Sequence, residues 1–314
     1  MSTPDAAAGS ESEPLVCVIV ITFNGKRHLD ACFSSLRRTE YANWRAMLVD
    51  NASTDGAAEF TAGAFPWVTV LRHETNLGFA GGNNRAMAAA LDAGARHVVL
   101  LNDDTMILDP RWLSEAVALA GREPETGMIG FRLLDKVPEP PEAENRATVS
   151  VSDAARIDGC ALFMRGDLLR RIGLFDEVYF AYSEEDDLQA RALRAGARLR
   201  QLDIPVYHYG GGTSKKFPRK AAYLEIRNAI RYSVKNRNFF QTIARVIKLC
   251  DIVCSPFPLF LDRNNQSHLR ARSELSFFAR LGIFSSAAAW NLFHLRETLV
   301  ASRRDRERWE KPHA

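Results

Sequence analysis

Four short apolar runs, each ending in a cluster of side-chain oxygens, constrain this chain more than any other feature. The first, residues 15–21 (LVCVIVI), stops at Thr22-Phe23-Asn24-Gly25. Its unbroken apolar and mostly β-branched character suits a strand buried on both faces. Residues 46–49 stop at Asp50-Asn51-Ala52-Ser53-Thr54-Asp55-Gly56, residues 68–71 lead to Asn76-Leu77-Gly78, and residues 98–101 run into Asn102-Asp103-Asp104-Thr105. Helical lengths separate them. One carries Leu29, Cys32, Phe33 and Leu36 on a single stripe, and another, alanine-rich over 85–93, closes at Gly94. Such alternation predicts an α/β fold with parallel strands and right-handed crossovers. The polar stops then share the carboxyl edge of the sheet, where ligands bind.

Asp103 and Asp104 are adjacent carboxylates that repel each other. Either one starts the next helix as an N-cap, or the pair meets a divalent cation shared with a phosphate. Asp50 stands at a strand tip, placed to read a ribose or base. The Gly78/Gly81/Gly82 loop leads into a helix N-terminus that favours a phosphate. A dinucleotide fingerprint would follow the first strand, and Thr22-Phe23-Asn24-Gly25 is not one, which argues against a dehydrogenase.

Beyond the fourth strand, Asp109-Pro110 opens a helix from Trp112 to Gly121 with Pro in its first turn. Residues 127–131 read as a strand. Residues 135–156 lose periodicity around Pro138, Pro140 and Pro141, and read as a mobile loop that orders over substrate. Regular structure resumes over 156–164, and Gly173-Leu174-Phe175-Asp176-Glu177 turns after a short helix. Ser183 and Asp186 resemble a capping box for a helix over 188–195, ended by Gly196. A cap explains two of the acids Glu184, Glu185, Asp186 and Asp187. A further one, at a pocket edge with an ordinary pKa, is a candidate general base. A last strand over 199–206 ends at Tyr207-His208-Tyr209, where His208 reads as a satisfied histidine or as a metal ligand. Gly210-Gly211-Gly212 would let backbone approach a diphosphate.

Five scattered cysteines without zinc-site spacing fit a reducing compartment. Residues 1–14, small, polar and acidic, read as a disordered leader rather than a signal peptide. The net charge of +3 hides an asymmetry: residues 215–314 hold 20 Lys and Arg against 8 Asp and Glu. Such a tail suggests an anionic partner or a solvated basic face. Within it, 239–261 and 275–300 mix aromatic and aliphatic residues with arginines. No run is long and apolar enough to span a membrane. Amphipathic helices in the membrane interface, packing on the preceding domain, and homodimerisation all fit. Basic residues interleaved with apolar ones argue against nucleic acid.

Taken in order, VIVITFNG, LVDNASTDG, NLGFAGGNN, LLNDDT, GLFDE, YSEEDDLQARALRAG and YHYGGGTS make residues 15–214 resemble a family 2 glycosyltransferase of the GT-A type. The similarity is to the rhamnosyltransferase and galactofuranosyltransferase branch. It implies a GT-A nucleotide-diphospho-sugar transferase fold, mostly parallel, followed by a helical extension over 215–314. It implies that Thr22, Asn24 and Asp50 line the nucleoside pocket, with Asn76 and Asn83 near the nucleotide or its phosphates. Asn102-Asp103-Asp104 stands at the Asp-x-Asp motif, with Asp104 as metal ligand and Asp103 near the ribose. Glu185 takes the catalytic-base position, flanked by Glu184 and Asp187. His208 takes that of a metal-ligating histidine, and Arg227 lies in an aromatic-plus-Arg-Asn segment assigned, with Glu184 and Asp187, to the acceptor side. Asn102 replaces an aspartate, Glu185 stands where Asp is usual, and Asn83 stands where many relatives carry arginine.

The expected reaction is an inverting transfer from dTDP-rhamnose or a UDP-sugar, aided by Mg²⁺ or Mn²⁺ on Asp104 and His208. The expected acceptor is a saccharide, or a polyprenyl-diphosphate-linked one, in cell-envelope polysaccharide synthesis. The expected location is the cytoplasmic face of the plasma membrane. The competing reading is an inactive sugar-nucleotide or glycan-binding protein on the same fold.

Overall fold

A computed structural model describes residues 13–137, 148–210, 216–255, 257–260 and 275–310. The first four strands are β1 (Val16–Thr22), β2 (Trp44–Asp50), β3 (Val68–Arg72) and β4 (His97–Asn102). They lie side by side as β3-β2-β1-β4, all parallel. Their crossovers are α1 (Lys26–Leu36), α2 (Ala57–Ala64) and α3 (Gly78–Asp92). Alternate side chains of β1 enter the two cores. Val16, Val18 and Val20 join Leu29, Phe33 and Leu36 of α1, whereas Cys17, Ile19 and Ile21 join Met87 and Leu91 of α3. A strand feeding two cores cannot alternate with polar residues, which is why LVCVIVI is apolar throughout.

Past β4 the sheet becomes mixed. The remaining elements of this region are β5 (Thr105–Ile107), α4 (Trp112–Arg122), β6 (Thr126–Leu134), β7 (Val151–Asp153), β8 (Ala161–Arg165), α5 (Gly166–Ile172), α6 (Glu184–Arg194) and β9 (Arg198–His208). The order continues β4-β8-β6-β9-β5, with β7 also on β9. β8 runs antiparallel to β4 and β6, and β9 antiparallel to β5 and β7.

Several expectations change here. The aperiodic stretch 135–156 contains β7, and its centre, with the loop expected over substrate, lies outside the described residues, as does the expected leader up to residue 12. α4 begins at Trp112, so Pro110 precedes the helix. α6 begins at Glu184, and Ser183, with φ of 69°, makes no side-chain cap, so there is no capping box.

The C-terminal helices are α7 (Pro218–Asn236), α8 (Phe239–Cys254), α9 (Phe277–Phe293) and α10 (Leu295–Glu310). Ile226, Ile230, Leu249, Val253 and Ala287 form a separate small core among α7, α8 and α9. α7 turns a polar face to the sheet domain: Arg231 and Lys235 donate to Asp176 at 2.9 and 3.1 Å, and Lys235 also to Asp187 at 2.9 Å. Asp305 of α10 completes this buried cluster at 2.7 Å from Lys235. Packing on the sheet domain, one of three expectations for the tail, is therefore what this face does. Among the described residues no helix is long and apolar enough to cross a membrane.

Candidate active site

The carboxyl ends of β1 and β4 meet directly. Thr22 Oγ1 donates to Asp103 Oδ2 at 2.5 Å. Burial, then repulsion from Asp104 and Asp55, pushes the Asp103 carboxyl up to about 7, although Thr22 favours its ionised form. Gly25 makes room for it, since a Cβ there would sit 1.8 Å from Asp103 Oδ2. Asp103 and Asp104 occupy the turn between β4 and β5, closed by Thr105 Oγ1 donating to Asn102 O at 2.8 Å. This excludes the N-cap alternative.

β5 pairs Thr105 with His208 at the end of β9. That register brings His208 Nε2 to 3.2 Å from Asp104 Oδ1 and 3.3 Å from Asn102 Nδ2. Asp104 Oδ2 accepts the Gly210 N–H at 3.1 Å. Burial opposes ionisation of Asp104, but His208, His28 and that N–H outweigh it and hold the carboxyl below its usual range. Burial likewise opposes a charged His208, and Asp104, Asp158 and Asp103 overcome it to raise its pKa.

Among the described residues no third His, Cys, Asp or Glu joins Asp104 and His208 in a metal-binding array. Two protein ligands still fit a Mg²⁺ or Mn²⁺ site of the kind completed by substrate phosphates and water. The triple glycine expected near a diphosphate, beyond Gly210, lies outside the described residues.

The β2 side forms a laced pocket wall. Asp50 is fully buried. Its Oδ1 accepts from Ser53 N at 2.8 Å, and its Oδ2, 3.7 Å from Arg72 Nε, accepts no hydrogen bond. A buried carboxylate oxygen without a donor suits a ligand hydroxyl or ring N–H. Asn24, at φ of 56°, accepts from Thr54 N at 2.8 Å, so its side chain ties two loops together. Asn51, which the sequence did not single out, donates to Asn76 Oδ1 at 3.0 Å and Gly78 O at 2.9 Å.

The glycine-rich segment is not an open phosphate cradle. Leu77 N donates to Asn51 Oδ1, Gly78 N to Asn76 Oδ1, and Ala80 N to Phe180 O, so three of the four N–H groups opening α3 are already engaged. The glycines instead allow close packing. A Cβ on Gly78 would meet Phe180 O at 2.3 Å, and one on Gly82 would meet Ile21 Cδ1 at 2.8 Å. Asn83 is buried inside α3, with Nδ2 on Phe79 O at 3.0 Å and Oδ1 unpaired.

Glu185 lies in the first turn of α6. Arg156 Nη2 donates to its Oε1 at 2.7 Å, and its Oε2 is buried without a partner. A Cβ on Gly159 would lie 3.5 Å from Glu185 Cβ, and the next residue, Cys160, accepts Asn102 N through its carbonyl at 3.0 Å. The base position and the Asn102–Asp104 turn thus abut adjacent residues of one segment, Gly159 and Cys160. Burial, then repulsion from Asp186, raises Glu185 to about 7 against the pull of Arg156, so its pKa is not the ordinary one expected. Glu184 is also buried, and burial with Glu185 beside it raises its pKa well above the usual carboxylate range.

Two residues assigned to the acceptor side are held by protein partners. Asp187 is fully buried and accepts from Lys235 at 2.9 Å, Asn236 at 2.9 Å and Arg191 at 3.1 Å. Arg227 donates to Val178 O at 2.7 Å and Tyr179 O at 2.9 Å. Both have local reasons to be charged that the sequence could not show. Conversely, Arg156 and Asp158 face Glu185 and were missed. The only local sign was an Asp-Gly pair resuming regular structure after a proline-rich gap.

Residues 17–168 match the profile described as Glycosyl transferase family 2. A 131-residue stretch is 37% identical to an uncharacterised protein of Sinorhizobium fredii, covering 39% of this chain and 14% of that protein. The chain therefore spans about one-seventh of that relative's length. Over 220 residues it is 26% identical to the N-acetylglucosaminyl-diphospho-decaprenol L-rhamnosyltransferase of Mycobacterium tuberculosis, covering 57% of this chain and 70% of that enzyme. The fold is similar to that of the Pyrobaculum calidifontis mannosyltransferase PcManGT in complex with GDP-Man and Mn²⁺. That match has a TM-score of 0.55 and 17% identity, covering 96% of this chain and 89% of the other.

Proposed function

We propose, from the match of residues 17–168 to glycosyl transferase family 2 and the GT-A-like fold, that this chain catalyses an inverting transfer of a hexose from a nucleoside-diphosphate-sugar donor. The observation that carries the reading is the Asp104–His208 pair, 3.2 Å apart, with Glu185 beside the same strand edge. Glu185 Oε2, buried and unpaired, accepts the proton of an acceptor hydroxyl as that oxygen bonds to the anomeric carbon. The bond from that carbon to the diphosphate oxygen breaks on the opposite face, which inverts the centre. A base with a pKa near working pH contributes on the order of 10²–10⁴-fold. Asp50 and Asn51 fix the nucleoside side, and Asp104 and His208 hold a divalent cation when one is bound. The chemistry such a cation supplies is neutralisation of charge on the departing diphosphate.

The proposed donor is dTDP-rhamnose or a UDP-sugar and the proposed acceptor a polyprenyl-diphosphate-linked saccharide; the relative's name supports rhamnosyl transfer and that acceptor class. A panel of nucleotide-sugars with Mn²⁺, scored for donor hydrolysis and for transfer, tests this. Transfer that survives Glu185→Gln unchanged removes the base assignment, whereas a wild-type chain that binds the donor and neither hydrolyses nor transfers it is a binding protein on the same fold.

Peripheral membrane contact through 239–300 belongs to the same reading. Fifteen of the nineteen large apolar side chains exposed among the described residues fall there, including Phe240, Leu259, Phe278 and Phe293. So large an apolar surface, on helices with a basic excess, suits the headgroup region of a bilayer at the inner face of the plasma membrane. Flotation with anionic vesicles is the test. A concentration-dependent dimer that stays off vesicles assigns the surface to a second copy instead.

A further inference from the structure

Taking the transferase reading as its base, we propose that Asn228 is a positioning residue: from α7 it holds the connector 178–183 and so sets Glu185 against the acceptor. Asn228 is fully buried, and its Nδ2 donates to Tyr179 O at 2.9 Å, Ala181 O at 2.7 Å and Tyr182 O at 2.7 Å. Its Oδ1 accepts from Arg227 Nε at 2.9 Å, and Arg227 Nη2 reaches Val178 O and Tyr179 O. One Arg-Asn pair therefore gathers four carbonyls of this connector, those of Val178, Tyr179, Ala181 and Tyr182, of which Tyr179 O also accepts the Ala181 N–H at 2.7 Å.

The connector needs such a hold. Phe180, Tyr182 and Ser183 have φ of 65°, 72° and 69°, a backbone region disfavoured for side-chain-bearing residues and kept only where the surroundings over-determine it. It runs straight into α6, whose second residue is Glu185. At its other contact, Phe180 O accepts the Ala80 N–H at 3.1 Å where α3 begins. The same face of α7 pins the far side of the first turn of α6, with Lys235 and Asn236 each 2.9 Å from Asp187. Asparagine suits the place chemically: its amide hydrogens face three converging carbonyls, and a carboxylate there would be repelled by all of them. Letting the connector relax would swing the first turn of α6, and a displacement of about 1 Å at a reacting group costs on the order of 10²-fold in rate.

The test compares Asn228→Ala with Leu249→Ala in the full-length chain. Leu249 is buried in the α7–α8–α9 core and lies away from the connector. With the donor found active, kcat and donor KM are measured, together with nucleoside-diphosphate binding in Mn²⁺ and amide hydrogen exchange over 180–187. For Asn228→Ala, kcat falls roughly 10- to 100-fold, nucleotide affinity stays within about twofold, and exchange over 180–187 quickens. Leu249→Ala loses at least as much thermal stability and keeps kcat near wild type. Unchanged kcat in Asn228→Ala, nucleotide affinity falling in step with kcat, or an equal kcat loss in Leu249→Ala overturns the assignment. Should Asn228→Ala not fold, Arg227→Lys, which keeps the charge but loses the fork, is judged by the same criteria. If wild type transfers no sugar, the transferase reading fails by itself, and unchanged exchange over 180–187 in Asn228→Ala still overturns the clamp.

Discussion

Arg156 Nη2 donates to Glu185 Oε1 at 2.7 Å, and the same guanidinium also binds Asp186. Arg156 is half exposed whereas Glu185 is 13% exposed, so a partly solvated cation covers a carboxyl that is nearly out of water. Burial raises Glu185 to about 7, and Arg156 restrains the rise. Arg156→Met therefore lifts the Glu185 pKa further. The acid limb of kcat/KM moves to higher pH, and the rate at neutral pH drops. A pH profile of the variant checks this, and an acid limb that stays put means that Glu185 is not the group titrating.

The site also dictates how stability follows pH. Asp103 and Glu185 are both raised to about 7, chiefly by burial, whereas carboxyls in an unfolded chain titrate near ~4. Between those values the folded state binds more protons, so stability falls as pH rises through that window. Thermal unfolding should be highest near the acid side of the window and lower above it, with a shallower dependence in Asp103→Asn. Asp176 acts in the opposite sense at lower pH. Burial would raise it, but Lys235 and Arg231 overcome this and hold it at about 2. Its stabilisation is complete above the unfolded value and is lost as pH falls towards about 2, a loss on the order of 2 kcal/mol.

Removing one member of the Asp104–His208 pair separates cation binding from folding. His208→Gln leaves β9 paired to β5 yet takes away the ring nitrogen beside Asp104 Oδ1. The thermal shift given by nucleoside diphosphate plus Mn²⁺ should shrink, and transfer should fall on the order of 10²-fold. Chelation of wild type should reproduce the loss of transfer. Full transfer in a chelator would show that the pair serves structure only.

Gly25→Ala probes the β1–β4 contact. The added Cβ would lie 1.8 Å from Asp103 Oδ2, so the carboxylate must leave Thr22. Overpacking of this kind costs about 1–3 kcal/mol. Nucleotide affinity should fall by more than the loss of stability alone accounts for, as titration calorimetry beside thermal unfolding would show.

Breaking the buried charge cluster should cost more than any surface change. Asp176→Asn leaves Arg231 and Lys235, both essentially buried, short of a counter-charge. About 3–5 kcal/mol of destabilisation in urea unfolding is expected. A loss under about 1 kcal/mol would mean that Asp187 and Asp305 take over its role.

By itself the sequence determined the parallel half of the sheet and its functional edge. An all-apolar run such as LVCVIVI is stable only between two cores, and the stripe of Leu29, Cys32, Phe33 and Leu36 names the helix that supplies one of them. These are local periodicities, so they are visible without coordinates. Tertiary structure decided which oxygens and nitrogens meet. His208 reaches Asp104 because β5 turns back onto β9, and no pattern near either residue records that pairing. Asp187 and Arg227 read as site residues through the resemblance of their segments, yet each answers a partner dozens of residues away in a different element. The α3 glycines read as a phosphate loop because glycine marks both close packing and exposed backbone. Only the positions of Phe180 against Gly78 and Ile21 against Gly82 show that here they serve packing. Chain pattern sets what an element is, and burial sets what its polar groups are for, because a side chain's charge, partner and pKa depend on neighbours that only the folded chain assembles.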